Sequence, residues 1–292
     1  MTAAQLLDGR KHAEKIVERL AQEHRQLVKN GNPLSLAVLV ANDHPASEIY
    51  LEAQKKKAAA IGIEHRIIRV DPKSTSQQIE SEIRFLNEDP QTTGIMVQLP
   101  LPKNLDPRRI ASKIHPFKDV EGMHPENLGR HAGAKASLVS PTATAVIELI
   151  RVSGKELEGC EAVVVGASEL VGKPVGLFLI NRLATLTYCH EATDKAGRLQ
   201  DHVQRAEVLV VCVGKPGLIP GAWIRQGAVV VDVGTNRVDG KIVGDIDFET
   251  AVERASWITP VPGGVGPLTT VSLMQNVFRA YRLQSEAEGD MI

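Results

Sequence analysis

The chain has 292 residues, 43% of them hydrophobic, and a formal net charge of -1, which suits two ordinary domains with buried cores. With no basic block beyond Lys55-Lys56-Lys57, the charge gives no reason to expect nucleic acid or an anionic membrane as partner, and small molecules are expected instead. Met1 to Arg10 hold no long apolar core, and no apolar run is long enough to span a bilayer, so a cytoplasmic location is expected.

Apolar runs alternate with amphipathic stretches along the whole chain, the pattern of α/β layering around parallel sheet. In the first half the pattern predicts helices over Gly9 to Lys29, Ala46 to Ile61, Ser76 to Asn87 and Pro107 to Ile114. Strands are expected over Ser35 to Val40, Glu64 to Val70 and Gly94 to Gln98. Pro100 and Pro102 cannot donate to a ladder and so mark the end of the third strand. That is the end at which open α/β sheets bind ligands.

In the second half, Ala162 to Val165 reads as a strand opening into Gly166-Ala167-Ser168-Glu169-Leu170-Val171-Gly172-Lys173-Pro174, a sharp turn that starts a helix. Backbone N–H groups at such a turn face the positive end of a helix dipole, which suits a pyrophosphate. The spacing is not G-x-G-x-x-G, and a lone glycine turn is also compatible with no ligand at all. Further strands are expected over Leu186 to Cys189, Val208 to Val213 and Ala228 to Val233. Cys160, Cys189 and Cys212 lack metal-ligand spacing, and two of them sit in apolar runs where a thiol behaves as a small hydrophobe. No metal is expected.

Toward the C-terminus, Pro260-Val261-Pro262-Gly263-Gly264-Val265-Gly266-Pro267 joins residues with fixed φ to residues that tolerate φ > 0. It reads either as a shaped loop that sets main-chain groups against a flat ligand or as a tight interdomain turn. A helix is expected over Leu268 to Tyr281, followed by a solvated acidic end, Ser285 to Asp290.

Taken together, Tyr50 on a helix, Val97-Gln98-Leu99-Pro100-Leu101-Pro102, Lys118-Asp119-Val120-Glu121-Gly122, Gly166 to Pro174 and Thr259 to Pro267 resemble the methylenetetrahydrofolate dehydrogenase/cyclohydrolase family, almost end to end. The resemblance implies an α/β protein of two domains with a folate cleft between them, and a homodimer. Residues 1–140 would form the folate-binding catalytic domain, onto which a helix over 268–285 packs back. Residues 141–267 would form a Rossmann-type domain for NAD or NADP. The implied chemistry is oxidation of 5,10-methylenetetrahydrofolate by hydride transfer, then hydrolysis of the methenyl product to 10-formyltetrahydrofolate.

Carried over residue by residue, the resemblance makes Tyr50, Gln54, Gln98 and Glu121 the catalytic set. Tyr50, Val97, Gln98, Leu99 and Glu121 would contact folate, together with a wall of Pro262, Gly263, Gly264, Val265 and Gly266. Gly166, Ala167, Ser168, Gly172, Glu191 and Thr235 would hold the cofactor. A carboxylate at 121 can accept two N–H bonds from an amino-pyrimidine edge, fixing the bridge carbon toward the cofactor.

The chain departs from the family in instructive places. The family expects lysine where this chain has Gln54. At i and i+4, Tyr50 and Gln54 share one helical face. A carboxamide cannot titrate, so cyclohydrolase activity is expected to be weak or lost while hydride transfer survives. Lys57, at i+3 from Gln54, returns to nearly the same face, and either it or a water chain gives an alternative in which both activities persist. A non-catalytic folate- or nucleotide-binding paralogue is the remaining alternative. The family's aspartate is here Glu121, and its Pro-Cys-Thr-Pro-x-Gly appears as Ser140-Pro141-Thr142-Ala143-Thr144-Ala145, a loop expected to lose its family shape. Ala167, Glu191 and Ala192 stand where NADP-using members often place an arginine, and a carboxylate there favours NAD; the alternative is a surface glutamate, with Lys195 or Arg198 supplying the 2′-phosphate contact.

Overall fold

The computed structural model describes residues 4–135 and 138–289. Its elements begin with β1 (Gln5–Leu6), α1 (Gly9–Lys29), β2 (Ser35–Val40), α2 (Pro45–Ile61), β3 (Glu64–Arg69), α3 (Ser76–Glu88) and β4 (Gly94–Gln98). Then come α4 (Pro107–Ala111), α5 (Pro125–Ala132), α6 (Pro141–Val152), β5 (Glu161–Val165), α7 (Gly172–Ile180), β6 (Thr185–Cys189), α8 (Glu191–Lys195), α9 (Leu199–Arg205) and β7 (Val208–Val211). The chain closes with β8 (Val229–Asp232), β9 (Asn236–Val238), β10 (Lys241–Val243), α10 (Phe248–Ala251), β11 (Trp257–Ile258) and α11 (Val265–Gly289).

Two compact units result: one of Glu14–Pro141 with Thr270–Ile292, the other of Met1–Ala13 with Thr142–Thr269. The first unit holds a parallel three-stranded sheet in the order β3-β2-β4. Every residue of the central strand β2 is buried, as expected of parallel sheet covered on both faces. Its core joins Leu39, Ile95 and Val97 of the sheet to Ile79, Ile83 and Ile110 of α3 and α4. Thr75 caps α3 by accepting the Gln78 N–H, and Gln78 returns the bond to the Thr75 N–H at 2.8 Å.

The second unit carries a six-stranded sheet, β1-β11-β8-β7-β5-β6, parallel throughout. Its core joins Val163, Leu209 and Val230 of the sheet to Leu199 and Val203 of α9. The first residues of the chain belong to this unit because β1 adds to β11, Gln5 opposite Trp257 and Leu6 opposite Ile258.

Several boundaries differ from those read in the sequence. The strand expected to reach Val213 ends at Val211, since the N–H groups of Val213, Gly214 and Lys215 all turn to the Asp245 carboxylate, at 2.8, 3.0 and 2.8 Å. Residues Pro141 to Ala145 open α6 rather than forming a loop, with Ala143 and Ala145 fully buried. Val265 to Pro267 are the first turn of α11 rather than loop, and α11 runs on to Gly289, past the expected end at Tyr281. Ser285 therefore lies in the helix, while the expected frayed end at Asp290 lies outside the described residues. The β9–β10 hairpin was not anticipated; it turns at Asp239-Gly240, both at positive φ. Among the described residues, no helix is long and apolar enough to cross a membrane.

One side chain of α11 knits the first unit together. Asn276 is fully buried, and its Nδ2 donates to the carbonyl oxygens of Val120 at 2.7 Å and Val139 at 2.8 Å. Replacing it by leucine strips both carbonyls of that donor. Asn276→Leu should therefore cost about 2–4 kcal/mol of stability, read from urea denaturation; a loss below about 0.5 kcal/mol would show that the two carbonyls find other partners.

Candidate functional site

In the first unit, α2 presents Tyr50 and Gln54 on one face, and the Tyr50 hydroxyl is hydrogen-bonded to the Gln54 side chain. Gln54 is fully buried. Met96 Sδ on β4 lies 3.5 Å from its Nε2, and His65 Nε2 on β3 lies 3.1 Å from its Oε1. Thioether sulfur can only accept, so the amide nitrogen faces Met96, the carbonyl oxygen faces His65, and His65 donates through Nε2–H. Burial lowers the pKa of His65, and the nearby Lys55 charge lowers it further, so the ring is neutral and its buried Nδ1 has no partner.

Gln98 ends β4 with 6% exposure. Its Nε2 donates to the Leu99 carbonyl at 2.7 Å, while its buried Oε1 is unpartnered. Beside β4, Asp119 forms a bridge with Ile95, and the Ile95 N–H donates to the Lys118 carbonyl at 2.7 Å. This anchors the segment that carries Glu121. Glu121 and Asp119 line one pocket with Val97, Leu99 and Met123. Asp119 Oδ2 accepts from the His124 N–H at 2.7 Å and from Asn127 Nδ2 at 2.9 Å, whereas its buried Oδ1 has no partner. Burial, then the neighbouring Asp119 charge, pushes Glu121 up to about 8. Burial raises Tyr50 as well, and the Glu121 carboxylate adds to it. Tyr50, Gln54, Val97, Gln98, Leu99 and Glu121 are thus gathered around β4, where the buried Gln98 Oε1 and Asp119 Oδ1 have no partner.

The three lysines after Gln54 take no part in its hydrogen bonding. Lys55 and Lys56 are exposed, Lys56 pairing with Glu52 at 3.7 Å, and Lys57 is partly exposed. Lys118, in the same motif as Glu121, spends its ammonium on the end of α3, donating to the Asn87 and Asp89 carbonyls at 2.8 and 2.9 Å.

In the second unit, β6 and β7 flank β5 on opposite sides. The direction of winding reverses there, at the carboxyl ends where doubly wound sheets receive nucleotides. The turn after β5 meets the requirement for close backbone packing. Gly166 has φ +118, and a Cβ on it would lie 2.6 Å from the Cys212 carbonyl oxygen. A Cβ on Gly172, at the start of α7, would lie 1.9 Å from the Gly166 oxygen. Ser168 Oγ accepts from the Val171 N–H at 3.2 Å and the Gly172 N–H at 3.4 Å, shaping the entry to α7. These features fit a dinucleotide, and Gly166, Ala167, Ser168 and Gly172 would hold it.

Glu191 is the first residue of α8, directly past β6, and its exposed carboxylate pairs with Lys195 at 2.7 Å. Thr235 is exposed between β8 and β9. Pro262 to Gly266 belong to this unit too, where the Gly9 N–H donates to the Gly263 carbonyl at 3.0 Å and the Gly264 N–H to the Pro260 carbonyl at 2.8 Å. Among the described residues no cluster of His, Cys, Asp or Glu could hold a metal ion.

Sequence reasoning missed His65, Met96, Asp119 and Asp245. Asp119 was within reach, two residues from Glu121 in a quoted motif. His65 and Met96 sit in strands whose pairing with α2 no local pattern announces.

Comparison with known proteins accounts for this arrangement. The profile of the tetrahydrofolate dehydrogenase/cyclohydrolase catalytic domain matches residues 7–121, and that of its NAD(P)-binding domain matches residues 140–285. A bifunctional protein FolD of Bacillus pumilus is 42% identical over 96% of this chain and 98% of its own length. The crystal structure of the bifunctional FolD from Campylobacter jejuni superimposes with a TM-score of 0.93 at 37% identity, covering 96% of this chain and 99% of that one. The Trypanosoma brucei methylenetetrahydrofolate dehydrogenase-cyclohydrolase, complexed with NADP and an inhibitor, does so with a TM-score of 0.93 at 36% identity, covering 98% and 99%. The chain belongs to the tetrahydrofolate dehydrogenase/cyclohydrolase family.

The raised Glu121 has a signature in stability. A carboxyl whose folded pKa lies near 8 against an ordinary 4.5 stabilises the fold fully below its unfolded value, and that contribution is lost as pH rises through 8. Glu121→Gln has no charge to bury. Its melting temperature should match that of the wild type near pH 4.5 and exceed it at pH 9; a difference that does not change with pH would refute the burial of that charge.

Proposed function

We propose that this member of the tetrahydrofolate dehydrogenase/cyclohydrolase family oxidises 5,10-methylenetetrahydrofolate with a nicotinamide cofactor and has little or no power to hydrolyse the methenyl product. The observation that carries this reading is the buried, neutral Gln54 amide, bonded to His65, Met96 and Tyr50 with no ammonium among its partners.

The two steps differ in what they ask of position 54. In the first, the bridge carbon gives up a hydride and the adjacent nitrogen lone pair completes a C=N bond, so no proton leaves and no titrating side chain is required. The nicotinamide, when bound, supplies the acceptor for that hydride. The remaining task is orientation. For it the first unit offers the Glu121 carboxyl and two buried unpartnered acceptors, Gln98 Oε1 and Asp119 Oδ1, suited to the N–H groups of a pterin edge. Ligand donors that satisfy these atoms remove the cost of leaving them unpaired.

Hydrolysis is another matter. Water must add to the methenyl carbon and lose a proton, and a lysine can shift its pKa to manage that transfer. Gln54 cannot. What weighs against a drifted, non-catalytic paralogue is that both ends of the Gln54 amide are satisfied. Relaxed selection would leave the altered amide itself unpaired, whereas Gln54 is met at both its nitrogen and its oxygen.

We further infer that NAD is preferred to NADP, because Ala167 and Ala192 offer no cation to a 2′-phosphate and Glu191 places a carboxylate just past β6. Purified protein should generate methenyl absorbance from methylenetetrahydrofolate, with kcat/KM at least tenfold higher for NAD than for NADP. Silence with both cofactors would remove the dehydrogenase reading, and a preference for NADP would remove the inference from Glu191. Gln54→Lys should raise methenyl hydrolysis by about a hundredfold, on the scale of a general acid or base restored. No gain would mean that the lost activity does not depend on the amide.

A further inference from the structure

The surroundings of Gln54 raise a question that its own identity does not answer: what keeps a primary amide from turning over. Its two ends differ by a single electron and are nearly isosteric, so orientation is set by the neighbours alone. Met96 Sδ stands at the nitrogen end, and at the oxygen end stands His65.

His65 lies on β3, opposite Leu36 of β2. β3 is an edge strand whose other apolar positions are Ile67 and Ile68, and packing alone would be served there by another aliphatic residue. Instead the position carries an imidazole whose Nδ1 is buried without a partner, a cost of about 1–3 kcal/mol when such a group is desolvated. A ring held at that cost is explained by its other nitrogen, which donates to Gln54 Oε1 at 3.1 Å. The facing charges reinforce the neutral form, since burial and the Lys55 ammonium both disfavour the imidazolium. A neutral ring with Nδ1 as the bare nitrogen has its one proton on Nε2, where the amide oxygen requires it.

We propose that His65 is the positioning residue for Gln54. Its Nε2–H holds the amide oxygen and turns the amide nitrogen toward Met96, and thereby fixes the side chain to which the Tyr50 hydroxyl is bonded. His65 and Gln54 form a matched couple, a donor and an acceptor that stand together where a charged side chain would otherwise be satisfied. This rests on the reading of the first unit as the folate-binding part of a dehydrogenase.

The test uses steady-state dehydrogenase kinetics of the full chain with His65→Leu, which removes the donor at similar volume, and His65→Gln, which keeps an N–H donor. His65→Leu should raise the KM for methylenetetrahydrofolate at least tenfold and leave the KM for the nicotinamide cofactor within twofold of wild type. His65→Gln should restore the folate KM to within threefold. A merely structural role lowers the active fraction, which reduces apparent kcat and moves neither KM. A folate KM that rises less than tenfold in His65→Leu, or a His65→Gln variant as impaired as His65→Leu, overturns the proposal. Imidazole nitrogen NMR gives an independent reading: the wild-type ring should carry its proton on Nε2, and a proton on Nδ1 overturns the assignment. Neither result bears on methenyl hydrolysis by the wild type, so this inference and the functional reading fail separately.

Discussion

A carboxamide sealed from water has to have both its ends met, and Gln54 has them met by side chains from two strands and its own helix. His65 donates a hydrogen bond to the oxygen, Met96 stands at the nitrogen, and the Tyr50 hydroxyl is bonded to the same side chain. Because an unpaired buried amide costs free energy on the scale of a whole hydrogen bond, this complementarity fixes three things together. It sets the tautomer of His65, the rotation of the amide and the position of the Tyr50 hydroxyl near Glu121. The site is built for a neutral group at position 54, and the proposed separation of hydride transfer from hydrolysis follows from that neutrality.

In the segment after Lys118, Asp119 is buried and Glu121 half-buried, and loss of water raises the pKa of both. They persist because the backbone around them is held independently: Asn276 grips the Val120 and Val139 carbonyls, and the Ile95 ladder continues to Lys118. Such rigidity keeps unsatisfied acceptors in place, and a ligand that brings matching donors then gains their full desolvation benefit. The second unit shows the same economy in backbone form. Asp245 gathers the N–H groups of Val213, Gly214 and Lys215, which ends β7 early and shapes the loop at the reversal of the sheet.

Much of the fold was legible because hydrophobic period carries it. β2 and β4 lie where their apolar runs begin and end, and α1 spans its whole predicted stretch. What periodicity could not see were features made by long-range partners. β7 stops short because of a carboxylate more than thirty residues on. The β9–β10 hairpin did have a local signal, Asp239-Gly240 at positive φ, but its strands are too short to show alternation. At the site, Tyr50, Gln54, Gln98 and Glu121 were named from motifs, and the structure gathers them around β4. His65 escaped because one histidine on an edge strand reads as ordinary surface until α2 is docked against it.

The most direct test of the central claim is the hydrolysis of methenyltetrahydrofolate by the unaltered chain, followed as loss of methenyl absorbance over a range of enzyme concentrations and pH. A neutral amide at position 54 predicts a rate that stays at the buffer background and does not grow with enzyme. A saturable, enzyme-proportional rate with its own pH optimum would contradict the account, since some titrating group would then be moving the proton that Gln54 cannot.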